Sequence, residues 1–215
     1  LVGQGTSFIG SMLTAVAVPV QVYSISESSF DVGLVGLVGF VPLVIFGLYG
    51  GAIADAVDRR VLYFTASLGT WLVTLMLLLQ SLLSLDSIPL LLGLVAIQSG
   101  TFAISGSARG AIIPRIVPTE LVPAANTLNF TVGNVGQVLG PLIAGGLIGL
   151  SNGFTIAYSA DAVLFTAALY ASFRLPPIPP TGERSNALGL RSVVEGLRFI
   201  AGNPVLAMSF VVDIV

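Results

Sequence analysis

Gly51-Ala52-Ile53-Ala54-Asp55-Ala56-Val57-Asp58-Arg59-Arg60 decides how this chain is to be read. Asp55, Asp58, Arg59 and Arg60 fall within six residues, in the first strongly charged gap between two long apolar runs. Elsewhere charge is scarce: 8% of the 215 residues are charged and 55% are hydrophobic, and the mean hydropathy is +1.00. A soluble domain carries roughly 25% charged residues. The chain therefore reads as an all-α polytopic membrane protein, and the cluster as a turn at a membrane surface.

Working outward, a spanning helix needs ~20 mostly apolar residues. Six segments meet that length: Leu1 to Ser24, Val32 to Ala54, Val61 to Leu85, Ile88 to Ile112, Ala124 to Leu150 and Phe154 to Phe173. All eight positive charges are arginine. Arg59 and Arg60 follow the second segment, Arg109 and Arg115 close the fourth, and Arg174, Arg184, Arg191 and Arg198 follow the sixth. The alternate gaps hold Glu27, Asp31 and Asp86 and no arginine. Arginine excess marks cytoplasmic loops, so the N-terminus and the segment after helix 6 are expected in the cytoplasm. That places the protein in the cytoplasmic membrane as a multi-pass protein. The chain starts and stops inside apolar runs and reads as a fragment cut at both ends.

Three regions are expected: a six-helix bundle over 1–173, a cytoplasmic linker over 174–203, and the start of a seventh span over 204–215. The linker opens with the proline-rich stretch 175–183, a stiff spacer. Leu188, Leu190, Val193, Val194, Leu197, Phe199 and Ile200 then recur at helical spacing between Arg191, Glu195 and Arg198. That pattern fits an amphipathic helix at the membrane interface, or else a plain linker helix. Six spans, a connector and a seventh span is the layout of one half of a duplicated transporter.

Histidine and cysteine are absent. Disulfides, thiolate and imidazole chemistry and the common zinc and haem ligands are thereby excluded. No cofactor, no metal and no enzymatic activity are expected, and no basic patch suggests a nucleic-acid partner. Polar residues within the spans carry the remaining signal. Gln4, Ser7, Ser11, Thr14 and Gln21 share one face of helix 1, and Gln98 lies in helix 4. Asn126, Asn129, Gly133 and Gln137 share a face of helix 5, with Asn134 beside it. Such groups are costly in lipid unless they meet protein or water. They line a substrate cavity, or they hydrogen-bond neighbouring helices. Asp161, about eight residues into helix 6, is the candidate proton site; its alternative is a structural hydrogen bond to another helix.

Gly136, Gly140-Pro141, Gly145 and Gly146 give helix 5 small residues for close packing and a proline that invites a bend. Asp55 and Arg59 are four apart, so a continued helical turn would join them, and Arg109 is a further partner. Links of this kind would form a latch; alternatively the arginines only set topology.

The Gly51 to Arg60 stretch resembles the loop 2–3 signature of the major facilitator superfamily at its Gly, Asp and double-Arg positions. It departs at Ala56, where a basic residue is usual, and at Asp58, where a glycine is usual. The resemblance covers essentially the whole chain and implies the N-terminal six-helix bundle of that fold. Gly51, Asp55, Arg59, Arg60 and Arg109 then stand as the gating motif. Gly136, Gly140, Pro141 and Gly145 resemble the helix 5 signature of proton-exchanging exporters, with Ala144 where a glycine is usual. The helix 4 arginine linked to proton transfer is replaced near Ala96. The 16–23, 118–126 and Asp161 regions resemble the branch of enterobactin exporters and multidrug efflux proteins.

The implied function is a secondary active, proton-coupled exporter of a siderophore, drug or other small amphipathic molecule, working by alternating access. Its partners would be that substrate, protons, the lipid bilayer and a C-terminal six-helix half of the same polypeptide, acting as a monomer. An uptake symporter of the same superfamily, or a non-transporting half or scaffold, are the alternatives.

Overall fold

The computed structural model describes residues 2–174, except for the side chains of 2–4, 51, 52, 54–56, 111 and 113–116. The expected linker over 175–203 and the seventh span over 204–215 lie outside the described residues. Among the described residues six helices run in order: α1 (Val2–Ser26), α2 (Ser29–Ala56), α3 (Arg59–Leu82), α4 (Ile88–Ile116), α5 (Val122–Ile148) and α6 (Gly153–Phe173). A 3-10 turn, Thr119–Leu121, precedes α5. Each helix contains a stretch long and apolar enough to cross a bilayer, and no strand occurs among the described residues. The fold is the all-α polytopic bundle expected.

Helix ends follow from local chemistry. Ser28 accepts the backbone N–H of Asp31 and opens α2 at 3.4 Å, satisfying a donor that the first turn would leave free. Asp58 does the same for α3, accepting from the Arg60 N–H at 2.8 Å. One of the four charges in the 55–60 cluster is therefore a helix cap. Arg60 in turn donates to the Phe173 carbonyl at 2.8 Å, fastening the start of α3 to the end of α6, where a cation suits the helix dipole.

Inter-helix contacts give the directions. Thr14 and Gln21 of α1 meet the levels of Thr74 and Gln80 of α3, and Asp161 and Tyr158 of α6 answer them in reverse order. Odd helices thus run one way and even helices the other. Arg59, Arg60, Arg109 and Arg174 gather at one end, here the arginine end, and Glu27, Asp31 and Asp86 at the other. Neighbours in space are seldom neighbours in sequence. α1 packs on α5 and α6, α3 on α4 and α6, and α2 mainly on α4, whereas α2 and α3 barely touch. The main apolar core lies toward the acidic end and joins Ala17, Val18, Val22, Val35, Val73, Leu77, Leu91, Leu94, Ala157 and Tyr158. A smaller cluster of Tyr63, Ala108 and Ile112 lies near the arginine end.

α5 meets α1 through a stripe of small residues, Gly136, Gly140 and Ala144, all buried. A Cβ at position 136 would press on the Phe8 ring, and one at 140 on the Met12 side chain. Gly145, expected in the same motif, faces open space; the stripe passes through Ala144 instead because 136, 140 and 144 are one turn apart. α5 continues through Pro141, whose ring is exposed. Overpacking a tight contact costs about 1–3 kcal/mol. Gly140→Val is therefore expected to lower the unfolding temperature of the full-length protein in detergent by several degrees. Gly145→Val should leave it within a degree, and equal losses would refute the stripe.

Candidate functional site

The bundle carries two polar regions, one buried among the helices and one opening to its surface along α5. The first surrounds Asp161, which is fully buried. Its Oδ2 accepts hydrogen bonds from Thr14 Oγ1 at 2.6 Å and Thr74 Oγ1 at 3.2 Å. Oδ1 is buried with no hydrogen-bond partner among the described residues and lies against Gly10, where any Cβ would collide with it. Only glycine lets α1 approach α6 this closely. Nearer the acidic end, the Gln80 amide donates to Gln21 Oε1 at 3.0 Å, and Tyr158 O–H donates to the same oxygen at 2.7 Å. Trp71 Nε1 bonds Thr166 Oγ1 at 3.0 Å, and Ser81 pairs with Thr155 at 2.8 Å. α1, α3 and α6 are thus cross-tied by side-chain hydrogen bonds that lipid cannot replace.

The second region lies toward the arginine end. A cavity of about 220 Å³ is walled by Phe8 of α1, Arg109 of α4, and Asn129, Phe130, Val132, Gly133, Asn134 and Gln137 of α5. A narrow cleft of about 10 Å³, barely wide enough for one water molecule, adjoins it between α1, α3, α4 and α6. Ser7, Ser11, Ser67, Thr70 and Ser105 line the cleft, and Phe8 and Arg109 border both spaces. Arg109 Nε is buried without a hydrogen-bond partner among the described residues.

The expected cavity face therefore divides. Ser7 and Ser11 border the cleft, and Asn129 and Gln137 border the cavity. Thr14 and Gln21 instead serve helix contacts, the alternative that their residue types allowed. Gln98 is half-buried and Asn126 exposed, and neither lines either space. Arg109, expected with the latch, borders the cavity. Arg59 is buried at the start of α3. The side chains of Gln4, Gly51 and Asp55 lie outside the described residues.

Several participants were missed. Ser67, Thr70 and Thr74 recur at the helical spacing used to pick out helix 1, so the same test applied to α3 would have found them. Phe8, Phe130 and Val132 carry no such signal, because one apolar residue among many looks like any other.

Comparison with known proteins adds the family. The description "Transmembrane secretion effector" belongs to a family whose profile matches residues 2–214. A protein named enterobactin exporter EntS from Shigella boydii serotype 18 is 31% identical over 205 residues, covering 93% of this chain and 48% of that relative. The protein of that name from Escherichia coli O1:K1 / APEC is 30% identical over the same length and shares. The chain spans about half the length of the curated relatives it matches.

Losing one donor to a buried carboxylate costs about 1–3 kcal/mol. Thr14→Val in the full-length protein should lower the unfolding midpoint, whereas Thr14→Ser should restore most of it. Identical midpoints for wild type and Thr14→Val would show that the Thr14–Asp161 bond holds nothing together.

Proposed function

The chain belongs to the transmembrane secretion effector family of the major facilitator superfamily, and on that premise we propose that it forms one six-helix half of a secondary active exporter. The observation that carries this reading is the polar cavity between α1, α4 and α5. Spanning helices turn amides and a guanidinium toward open volume, which is costly in lipid, and a pathway for a polar solute accounts for it. Two relatives named as enterobactin exporters favour outward movement over uptake. They also favour a small amphipathic cargo such as a siderophore or drug, and weigh against an enzyme.

In this proposal the bundle works by alternating access, rocking as a unit in the cytoplasmic membrane against the remaining half of the polypeptide, as a monomer. The arginine end faces the cytoplasm, by the arginine asymmetry. The cavity then loads from the cytoplasm. Gly51, Asp55, Arg59 and Arg60 form the latch at that end. Gly136, Gly140 and Pro141 give α5 the close, bendable contact with α1 along which the wall shifts. Asp161 carries the coupling proton. Its unpartnered Oδ1 gives a proton a place to reside without displacing Thr14 or Thr74.

Efflux by the full-length protein, assayed in everted membrane vesicles over several pH values, tests the scheme. Asn129→Ala and Gln137→Ala should each reduce transport between about twofold and tenfold, the worth of one neutral hydrogen bond. Asp161→Asn should flatten the pH dependence. A pH profile identical to wild type would remove Asp161 from the mechanism, and vesicles that accumulate nothing would favour a non-transporting scaffold.

A further inference from the structure

The residue content of the cavity says more than that a solute passes. Read from sequence, its walls of Asn, Gln, Ser and Thr suit an uncharged ligand. The fold changes that balance by bringing the Arg109 guanidinium to the border of both the cavity and the cleft. Its Nε is shielded and has no hydrogen-bond partner among the described residues. Arg109 is half-buried, and a shielded guanidinium N–H left without an acceptor is expensive. No acidic side chain borders either space among the described residues, so the charge those residues give the two spaces is positive. The side-chain amides of Asn129, Asn134 and Gln137 add further N–H donors to the same walls. Phe8 and Phe130 add apolar surface.

These features together point to a subsite for an oxyanion. We infer that the cavity binds the acidic group of a small molecule, a carboxylate, phenolate or phosphate, with Arg109 as the anchoring cation. The ligand's apolar body lies along Phe8 and Phe130. Arginine suits this task because its planar fork offers parallel donors to two oxygens at once. A whole drug-sized ligand needs roughly 300–1,000 Å³, so about 220 Å³ takes one end of the molecule, its acidic head. The inference rests on the export reading for the identity of the cavity as a cargo site, and it narrows that cargo to acids.

The test uses a matched pair of fluorescent probes, dansylglycine and its uncharged analogue dansylglycinamide, titrated against the full-length protein in lipid nanodiscs. Wild type should bind the acid at least about tenfold more tightly than the amide. Arg109→Gln should weaken the acid about 10- to 100-fold, the worth of a charge-assisted hydrogen bond, and leave the amide unchanged. Arg109→Lys should keep part of the preference. Asn129→Asp sets a carboxylate in the same cavity and should abolish the preference with an unchanged unfolding midpoint; it decides the matter if Arg109→Gln fails to fold. Equal binding of both probes by wild type, no binding of the acid, or a preference that survives in Asn129→Asp or in folded Arg109→Gln would overturn the subsite. Everted-vesicle transport separates the two readings. If the amide is pumped and the acid gains nothing from Arg109, the anion subsite fails and export stands. If the acid binds through Arg109 and neither probe is pumped, the subsite stands and export fails.

Discussion

A carboxylate inside a membrane bundle must be enclosed by groups that satisfy it, and the bundle is arranged around that demand. Asp161 draws Thr14 from α1 and Thr74 from α3 onto one oxygen, while Gly10 lets the α1 backbone close over the other. Three helices that share no short loop are thereby held at a common level. The neighbouring tie among Gln21, Gln80 and Tyr158 repeats the triangle nearer the acidic end, fixing register as well as proximity. Around this axis the remaining helices attach with less polar help: α4 to α3 and α2, and α5 to α1 through small residues.

The result is a bundle with two unlike ends. Toward the acidic end the interior is apolar and well filled. Toward the arginine end it opens into space bordered by amides, hydroxyls and a guanidinium. Rigidity and access are thus divided along the membrane normal rather than between separate domains. The helix that walls most of the cavity, α5, is also among the least buried of the six. Its contact with α1 is made largely through glycines, against which Phe8 and Met12 of α1 pack closely.

Much of this was legible beforehand. The six spans within residues 1–173 follow from apolar length, because the bilayer permits few alternatives. Asp161 stood out as a carboxylate in a span, and its burial agrees. Individual roles were harder. Thr14 and Gln21 lie on the same helix 1 face as Ser7 and Ser11, and nothing local separates a residue that lines a space from one that bonds a neighbour. That distinction depends on what stands opposite, which is Asp161 and Gln80 in one case and open volume in the other. Asp58 looked like part of a charge cluster and is a cap, since capping depends on where the helix starts to within one residue. Arg109 was placed near the right end, but its side toward the cavity depends on how α4 is rotated against α1 and α5, which helix spacing alone does not give.

The cross-ties also bear on how the protein is made. Thr14 and Gln21 reach partners on α6 that lie 147 and 137 residues later in the chain. At roughly 5–20 residues per second, the ribosome needs about 7 to 30 s to supply them. During that interval α1 stands in the bilayer with its polar face unmatched, and α3 brings Thr74 and Gln80 as the first groups able to cover it. The same side chains that lock the finished bundle are, while it is being built, the ones most in need of temporary company. Membrane insertion factors that shelter polar helices would therefore be expected to hold α1 and α3 together until α6 arrives.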